Sequence, residues 1–170
     1  MISFSKGTTK FNYRAAGIVI HQGRVLIHRS ELDNFWAIPG GRVEWGEPVA
    51  ITLKREMQEE LEHNVVIEHL PWVVENFYQS PDQIIQELCF YYLVSLPQDC
   101  PLLKQEEFGG EDIASSGEKL KLFFRWCPVA ELQQLELYPG FLRKGLQNIP
   151  DQTEFLSFSD LPKSEQRLYL

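Results

Sequence analysis

Three glutamates, Glu56, Glu59 and Glu60, fall close together in the segment GGRVEWGEPVAITLKREMQEELEHNV, which runs from Gly40 to Val65. On a helix turning about 100° per residue, Ala50, Leu53, Met57 and Leu61 form one apolar stripe. Glu56 and Glu60 sit side by side on its flank, with Glu59 about a quarter turn further round. Like charges at this spacing repel, and no lysine or arginine stands four residues after Glu56 to relieve the pair. A solvated face is the ordinary explanation of such a charge run. A helix that gathers carboxylates beside its buried stripe is also suited to a hard divalent cation, which takes oxygen ligands.

The spacing of the neighbouring residues adds to this. Gly41, Glu47, Arg55, Glu56, Met57, Glu59 and Glu60 stand in the order and at the intervals of the Nudix box, and the segment resembles that box. Two positions depart from it: Glu62 replaces the final glycine and His63 the aliphatic residue after it. The resemblance, to MutT-like Nudix hydrolases, extends over about residues 14 to 146. It implies a mixed-sheet α/β/α sandwich and a Mg²⁺-dependent hydrolase, with Mn²⁺ able to substitute, that cleaves a diphosphate bond in an ADP-ribose-like molecule or a nucleoside triphosphate. Glu56, Glu59 and Glu60 would hold the metal and Gly41 would let the backbone approach it. Arg55 would orient Glu47 and a neighbouring carboxylate. The general base is left open between Glu59 and the acidic residues Glu111 and Glu118. A non-catalytic nucleotide sensor is the competing class, and such domains typically lose box carboxylates that this chain retains. The resemblance also leaves open a homodimer.

Elements must carry these residues. Ala15–Ile20 and Arg24–Arg29 are β-prone runs joined by His21-Gln22-Gly23, which predicts a hairpin. Phe35–Ile38 is a short apolar run ending at the turn-forming Pro39-Gly40-Gly41. Pro48 suits the first position of the following helix. Residues 65–77, 84–96 and 119–126 read as strands, and 128–135 and 139–146 as short helices opened by proline. Residues 97–118 hold Glu106, Glu107, Glu111, Asp112 and Glu118 among glycines and serines with little periodicity, and read as a long loop. Residues 147–170 are expected to be a tail on a single domain. Arg29 could meet a phosphate or an adenine face, or be a solvated charge. Trp36, Phe77 and Tyr78 could stack on a base or pack in the core. Glu44 could join the metal or end a strand, and His28 and His63 read as surface residues.

A length of 170 residues, 44% hydrophobic and 24% charged, suits one globular domain. The net charge of −8 disfavours non-specific nucleic-acid binding, so a small-molecule nucleotide is the expected partner, with no nucleic acid. It does not oppose an anionic substrate where a bound cation reverses the local field. Cys89, Cys100 and Cys127 are odd in number and scattered, fitting neither a disulfide framework nor a metal site. No run of residues spans a bilayer or forms a signal peptide, so no membrane association is expected and the cytoplasm is the expected location.

Overall fold

The β-prone runs within residues 9–30 produce a hairpin at the centre of the molecule, β2 (Thr9–His21) paired antiparallel to β3 (Arg24–Ser30). A computed structural model describes residues 1–113, 117 and 119–162. The remaining strands are β1 (Ser3–Lys6), β4 (Gly40–Arg42), β5 (Val66–Gln79), β6 (Ile84–Ser95), β7 (Glu107–Ile113), β8 (Lys119–Pro128) and β9 (Glu154–Ser159). They form a mixed sheet in the order β7-β8-β3-β2-β6-β5-β9, with β1 and β4 also paired to β2. β2 runs parallel to β6 over eleven residue pairs but meets β3 at only two, Ile20–Val25 and His21–Arg24. The two halves of the sheet therefore diverge from the hairpin turn, and the Phe35–Gly41 segment runs into the opening.

Helix α1 (Val49–Leu61) covers one face. Leu53, Met57 and Leu61 pack there against Ala15, Val19, Leu26, Phe124 and Trp126. Burying each of the three helix side chains stabilises the fold by about 2 kcal/mol. Ala16 and Ile18, pointing the other way from β2 as the period of two demands, join a second cluster with Trp72, Cys89 and Leu132. Short pieces cover that face: a 3₁₀ turn (Val129–Gln134) and α2 (Leu142–Gly145). This is the expected α/β/α sandwich, with one long helix and a thin second layer.

Several elements differ from the sequence expectation. Residues 97–118 are not one loop: they hold a 3₁₀ turn, Pro101–Lys104, and strand β7, paired antiparallel to β8. The C-terminal segment is not wholly a tail, because β9 adds to β5 in parallel and Asp160 accepts a hydrogen bond from the Gly140 N–H at 3.1 Å. Pro48 sits one residue earlier than expected, as the extended residue before the helix. Ala50 is only half-buried, whereas Thr52 and Glu60 are buried. The three cysteines are buried and free.

The helix ends where the spacing implied. Glu62 adopts the left-handed conformation, φ 58° and ψ 19°, and the His63 ring nitrogen donates to the Leu61 carbonyl at 2.8 Å. His63 is half-buried at the helix exit rather than a plain surface residue. A side chain with Cβ costs about 1 kcal/mol in this conformation, and a carboxylate opposes the helix dipole. Glu62→Gly removes both and gives back part through unfolded-chain entropy. It should raise stability by roughly 0.5–1 kcal/mol in urea denaturation and leave turnover unchanged; a loss of stability would sink this account of the helix end.

Candidate active site

Arg55 organises the acidic face. Its Nε and Nη2 donate to both oxygens of Glu47, at 3.2 and 3.0 Å, a two-pronged pair that guanidinium geometry favours. Its Nη1 donates to Glu56 at 2.8 Å and to Glu59 at 3.0 Å. Thr52 also donates to Glu47 at 2.7 Å. These hydrogen bonds, from Arg55 first and Thr52 second, hold Glu47 below the usual carboxylate range. The loop before α1 is thereby clamped to its second turn. The repulsion expected among the glutamates is relieved from within the box, by a cation one residue before Glu56.

The three glutamates differ in depth. Glu59 is 58% exposed along its side chain and is drawn to Arg55. Glu56 lies deeper, its carboxylate pressed against Gly41, where an added Cβ would stand 2.1 Å from it. Glu60 is buried, and among the described residues its Oε2 has no hydrogen-bond partner. Burial pushes both Glu56 and Glu60 above the ordinary carboxylate range, Glu60 well above it. For Glu56 the Arg55 hydrogen bond offsets part of the burial. For Glu60 the Arg14 charge and the Gly40 N–H oppose it, while Glu56 and Asp112 reinforce it.

Gly40 has φ +144°, and a Cβ there would stand 2.2 Å from the Ala15 carbonyl oxygen. Only glycine lets this turn pass so close to β2. Beneath it, Arg14 donates to the Ile38 carbonyl at 3.1 Å. Burial lowers the Arg14 pKa, but Glu87 and Glu60 outweigh it and leave it raised. Sequence reasoning missed Arg14. Its signal was a charged residue in mid-strand, directly before the apolar run Ala15–Ile20.

His28 is buried, not on the surface, and its Nδ1 lies 3.5 Å from Glu60 Oε2. Burial first, then Arg14, pushes its pKa down to about 3. Arg29, the next residue on β3, turns to the opposite face, so the structure does not bring it beside the glutamates. Its guanidinium lies 5.2 Å from the Trp36 ring and 5.6 Å from Phe123. Arg125, which the sequence reading did not single out, lies 4.7 Å from the same Trp36 ring. Trp36 also packs against the second core cluster. Phe77 and Tyr78 lie on β5, and burial raises the Tyr78 hydroxyl pKa.

Glu44 is exposed and pairs with the N-terminal amine. Glu111 lies on β7 and pairs with Lys119 at 2.7 Å, and Glu118 lies outside the described residues. β7 nevertheless borders the site: a Cβ on Gly110 would stand 2.9 Å from the Glu60 carbonyl oxygen.

A divalent cation fits this donor set. The carboxylates are hard oxygen donors, one Glu60 oxygen is buried without a partner, and Gly41 leaves room for the Glu56 carboxylate. Among the described residues, no three His, Cys, Asp or Glu side chains already converge on one point, because Arg55 engages Glu56 and Glu59. Nor, among those residues, is any helix long and apolar enough to cross a membrane.

The NUDIX domain family model matches residues 12–149. The chain is 27% identical over 128 residues to the uncharacterized Nudix hydrolase YvcI of Bacillus subtilis, covering 72% of this chain and 73% of that one. It is 32% identical over 69 residues to an RNA pyrophosphohydrolase of Campylobacter jejuni; that match covers 39% of this chain and 42% of the relative, so less than half of the latter is spanned. Among solved structures, a UDP-X diphosphatase aligns with TM-score 0.56 at 15% identity, over 90% of this chain and 69% of that one. An ADP-ribose pyrophosphatase from Streptococcus suis gives TM-score 0.52 at 15% identity, over 86% and 98%. These structures share the fold.

Proposed function

Because the chain belongs to the Nudix hydrolase family, we propose that it hydrolyses a diphosphate bond in a small-molecule nucleotide, an ADP-ribose-like compound or a nucleoside triphosphate, with Mg²⁺ as cofactor. Nudix hydrolases act on diphosphate compounds and use divalent metal ions. The observation that carries the reading for this chain is the buried, unpartnered oxygen of Glu60 beside the Glu56 carboxylate and the Gly-Gly turn.

In this reading Glu56, Glu59 and Glu60 hold the metal, with Gly41 giving it access to the backbone. Bound there, Mg²⁺ would neutralise diphosphate oxygens and lower the pKa of a water nucleophile. Arg55 and Glu47 orient the carboxylates and keep the loop before α1 on the helix. The base that takes the proton from water is Glu59, the most exposed of the three. Glu111 is the weaker candidate, since Lys119 already holds its carboxylate. Arg29 and Trp36, joined by Arg125, bind the substrate's remote phosphate or base from the far lip of β3.

The test is a substrate screen covering ADP-ribose, nucleoside triphosphates, UDP-sugars, dinucleoside polyphosphates and 5′-triphosphorylated RNA. At least one small nucleotide should be turned over with Mg²⁺ or Mn²⁺, and EDTA should abolish the activity. Tight nucleotide binding without turnover in any arm would favour the sensor class. Turnover of the RNA alone would overturn the substrate assignment.

A further inference from the structure

The buried imidazole of His28 takes no part in the reaction as set out above. Its Nδ1 and the Oε2 of Glu60 face each other at 3.5 Å, and among the described residues neither atom has a hydrogen-bond partner. Burying two such atoms unpaired is costly, so their juxtaposition calls for a reason. The ring is not free to look elsewhere. The His28 backbone N–H donates to Ala37 and its carbonyl accepts from Ala37, both at 2.9 Å, which fixes the strand beside the Pro39-Gly40-Gly41 turn. The imidazole packs on Phe124 at 5.5 Å between centroids, and Phe124 stacks on Phe108 at 5.0 Å. Two strands and the turn therefore aim one ring nitrogen at one carboxylate oxygen.

We infer that His28 is a positioning residue for Glu60: in the neutral tautomer its Nδ1–H donates to Oε2 of the ionised carboxylate and holds it in the orientation that binds the divalent ion. This rests on the proposal that Glu60 is a metal ligand. The donor closes a gap of a few tenths of an ångström when the carboxylate is charged, because hydrogen bonds to ionised acceptors are shorter. Oε2 carries a second lone pair, which stays available to the cation. A carboxylate restrained in this way loses less freedom on binding than one that must be ordered by the ion, and partners of this kind commonly change metal affinity 10–100-fold.

The experiment is Mn²⁺ titration of the full chain, reading free Mn²⁺ by electron paramagnetic resonance, alongside urea denaturation and the Mg²⁺ dependence of turnover. His28→Leu should weaken Mn²⁺ binding about 10–100-fold. It should raise the Mg²⁺ activation constant similarly, while kcat at saturating metal recovers. A loss of folding alone would instead lower kcat and leave the activation constant in place. His28→Asn puts an amide nitrogen where Nδ1 stands and should restore affinity to within about threefold. His28→Gln places its amide nitrogen nearer to Nε2, so it should remain weak; the Asn and Gln pair decides the matter if the leucine variant does not fold. Affinity of His28→Leu within about twofold of wild type would overturn the inference, as would Asn binding no better than Gln. Imidazole nitrogen coupling in the bound Mn²⁺ spectrum would also overturn it, by making His28 a ligand. If wild-type protein binds no Mn²⁺, the metal reading fails and the inference with it; if wild type binds and every His28 variant binds equally, only the inference fails.

Discussion

Glu60→Gln should nearly abolish turnover while leaving the fold as stable as before or more so. The amide keeps the size of the carboxylate and can still accept from the Gly40 N–H. What it removes is a full charge from the proposed metal site. Metal stabilisation of a diphosphate transition state is worth several kcal/mol, and at about 1.4 kcal/mol per tenfold its loss lowers kcat roughly a thousandfold or more. The stability effect follows from the direction of the Glu60 pKa, which is raised in the folded protein mainly by burial. A raised carboxylate stabilises the fold fully below its unfolded pKa of about 4.3 and loses that contribution as pH rises through the folded value. In EDTA, the variant should therefore match wild type near pH 4 and exceed it near pH 7. Added Mg²⁺ should reverse the order at neutral pH, because an ion at a hundred times its Kd stabilises the protein that binds it by about 2.7 kcal/mol. Denaturant midpoints with and without Mg²⁺ at the two pH values check the whole pattern. A variant less stable than wild type in EDTA at pH 7 would contradict the buried charge.

Gly40→Ala and Gly41→Ala, one methyl group each at adjacent positions, should fail in different ways. At Gly40 the added Cβ meets backbone, 2.2 Å from the Ala15 carbonyl oxygen and 2.7 Å from the Ala16 Cα, at a φ of +144°. Backbone in a paired strand cannot step aside, so the β2–β4 pairing must open, at a cost of about 3 kcal/mol or more. At Gly41 the Cβ meets the Glu56 carboxyl group, the far end of a flexible side chain, and no positive φ adds strain. The carboxylate swings away at a cost near 1 kcal/mol. In the proposed mechanism that removes a metal ligand from its place, and misplacement by about an ångström lowers turnover on the order of a hundredfold. Thermal unfolding and kcat measured on both variants separate the outcomes. Equal losses of stability would mean that Glu56 is held more rigidly than its contacts indicate.

The parts of this molecule that periodicity governs were legible before any coordinates. The hairpin of β2 and β3 is two continuous apolar runs around a turn, and α1 repeats its apolar residues at helical spacing between Pro48 and Glu62, so the strands and the buried face of the helix could be assigned. β7 could not be read in the same way. Its sequence, Glu107-Phe-Gly-Gly-Glu-Asp-Ile113, has two glycines at its centre and lies at the edge of the sheet, where one neighbour is enough. What makes it a strand is its antiparallel pairing with β8, from Glu107–Arg125 to Ile113–Lys119. β9 is six residues long and depends in the same way on β5, some eighty residues earlier. His28 was within reach: Leu26 faces α1, and the period of two puts His28 on the same side. Arg125 was not, because its approach to Trp36 depends on the pairing of β3 with β8 and on the path of the segment entering the Gly-Gly turn. The box residues were recognised by spacing, but the engagement of three carboxylates by the single Arg55 emerges only from side-chain geometry.

That engagement bears on the order of events in a cell. A cluster of uncompensated glutamates would make folding wait on an ion, as it does in small domains that are unfolded without their metal. Here a permanently charged guanidinium, encoded in the same helix, supplies the neutralising cation during synthesis. If the site holds a divalent ion as proposed, folding and metal loading become separable: newly made chains can complete their core when the ion is scarce and acquire it afterwards. On that reading the supply of the ion governs how much of the protein is active rather than how much of it survives.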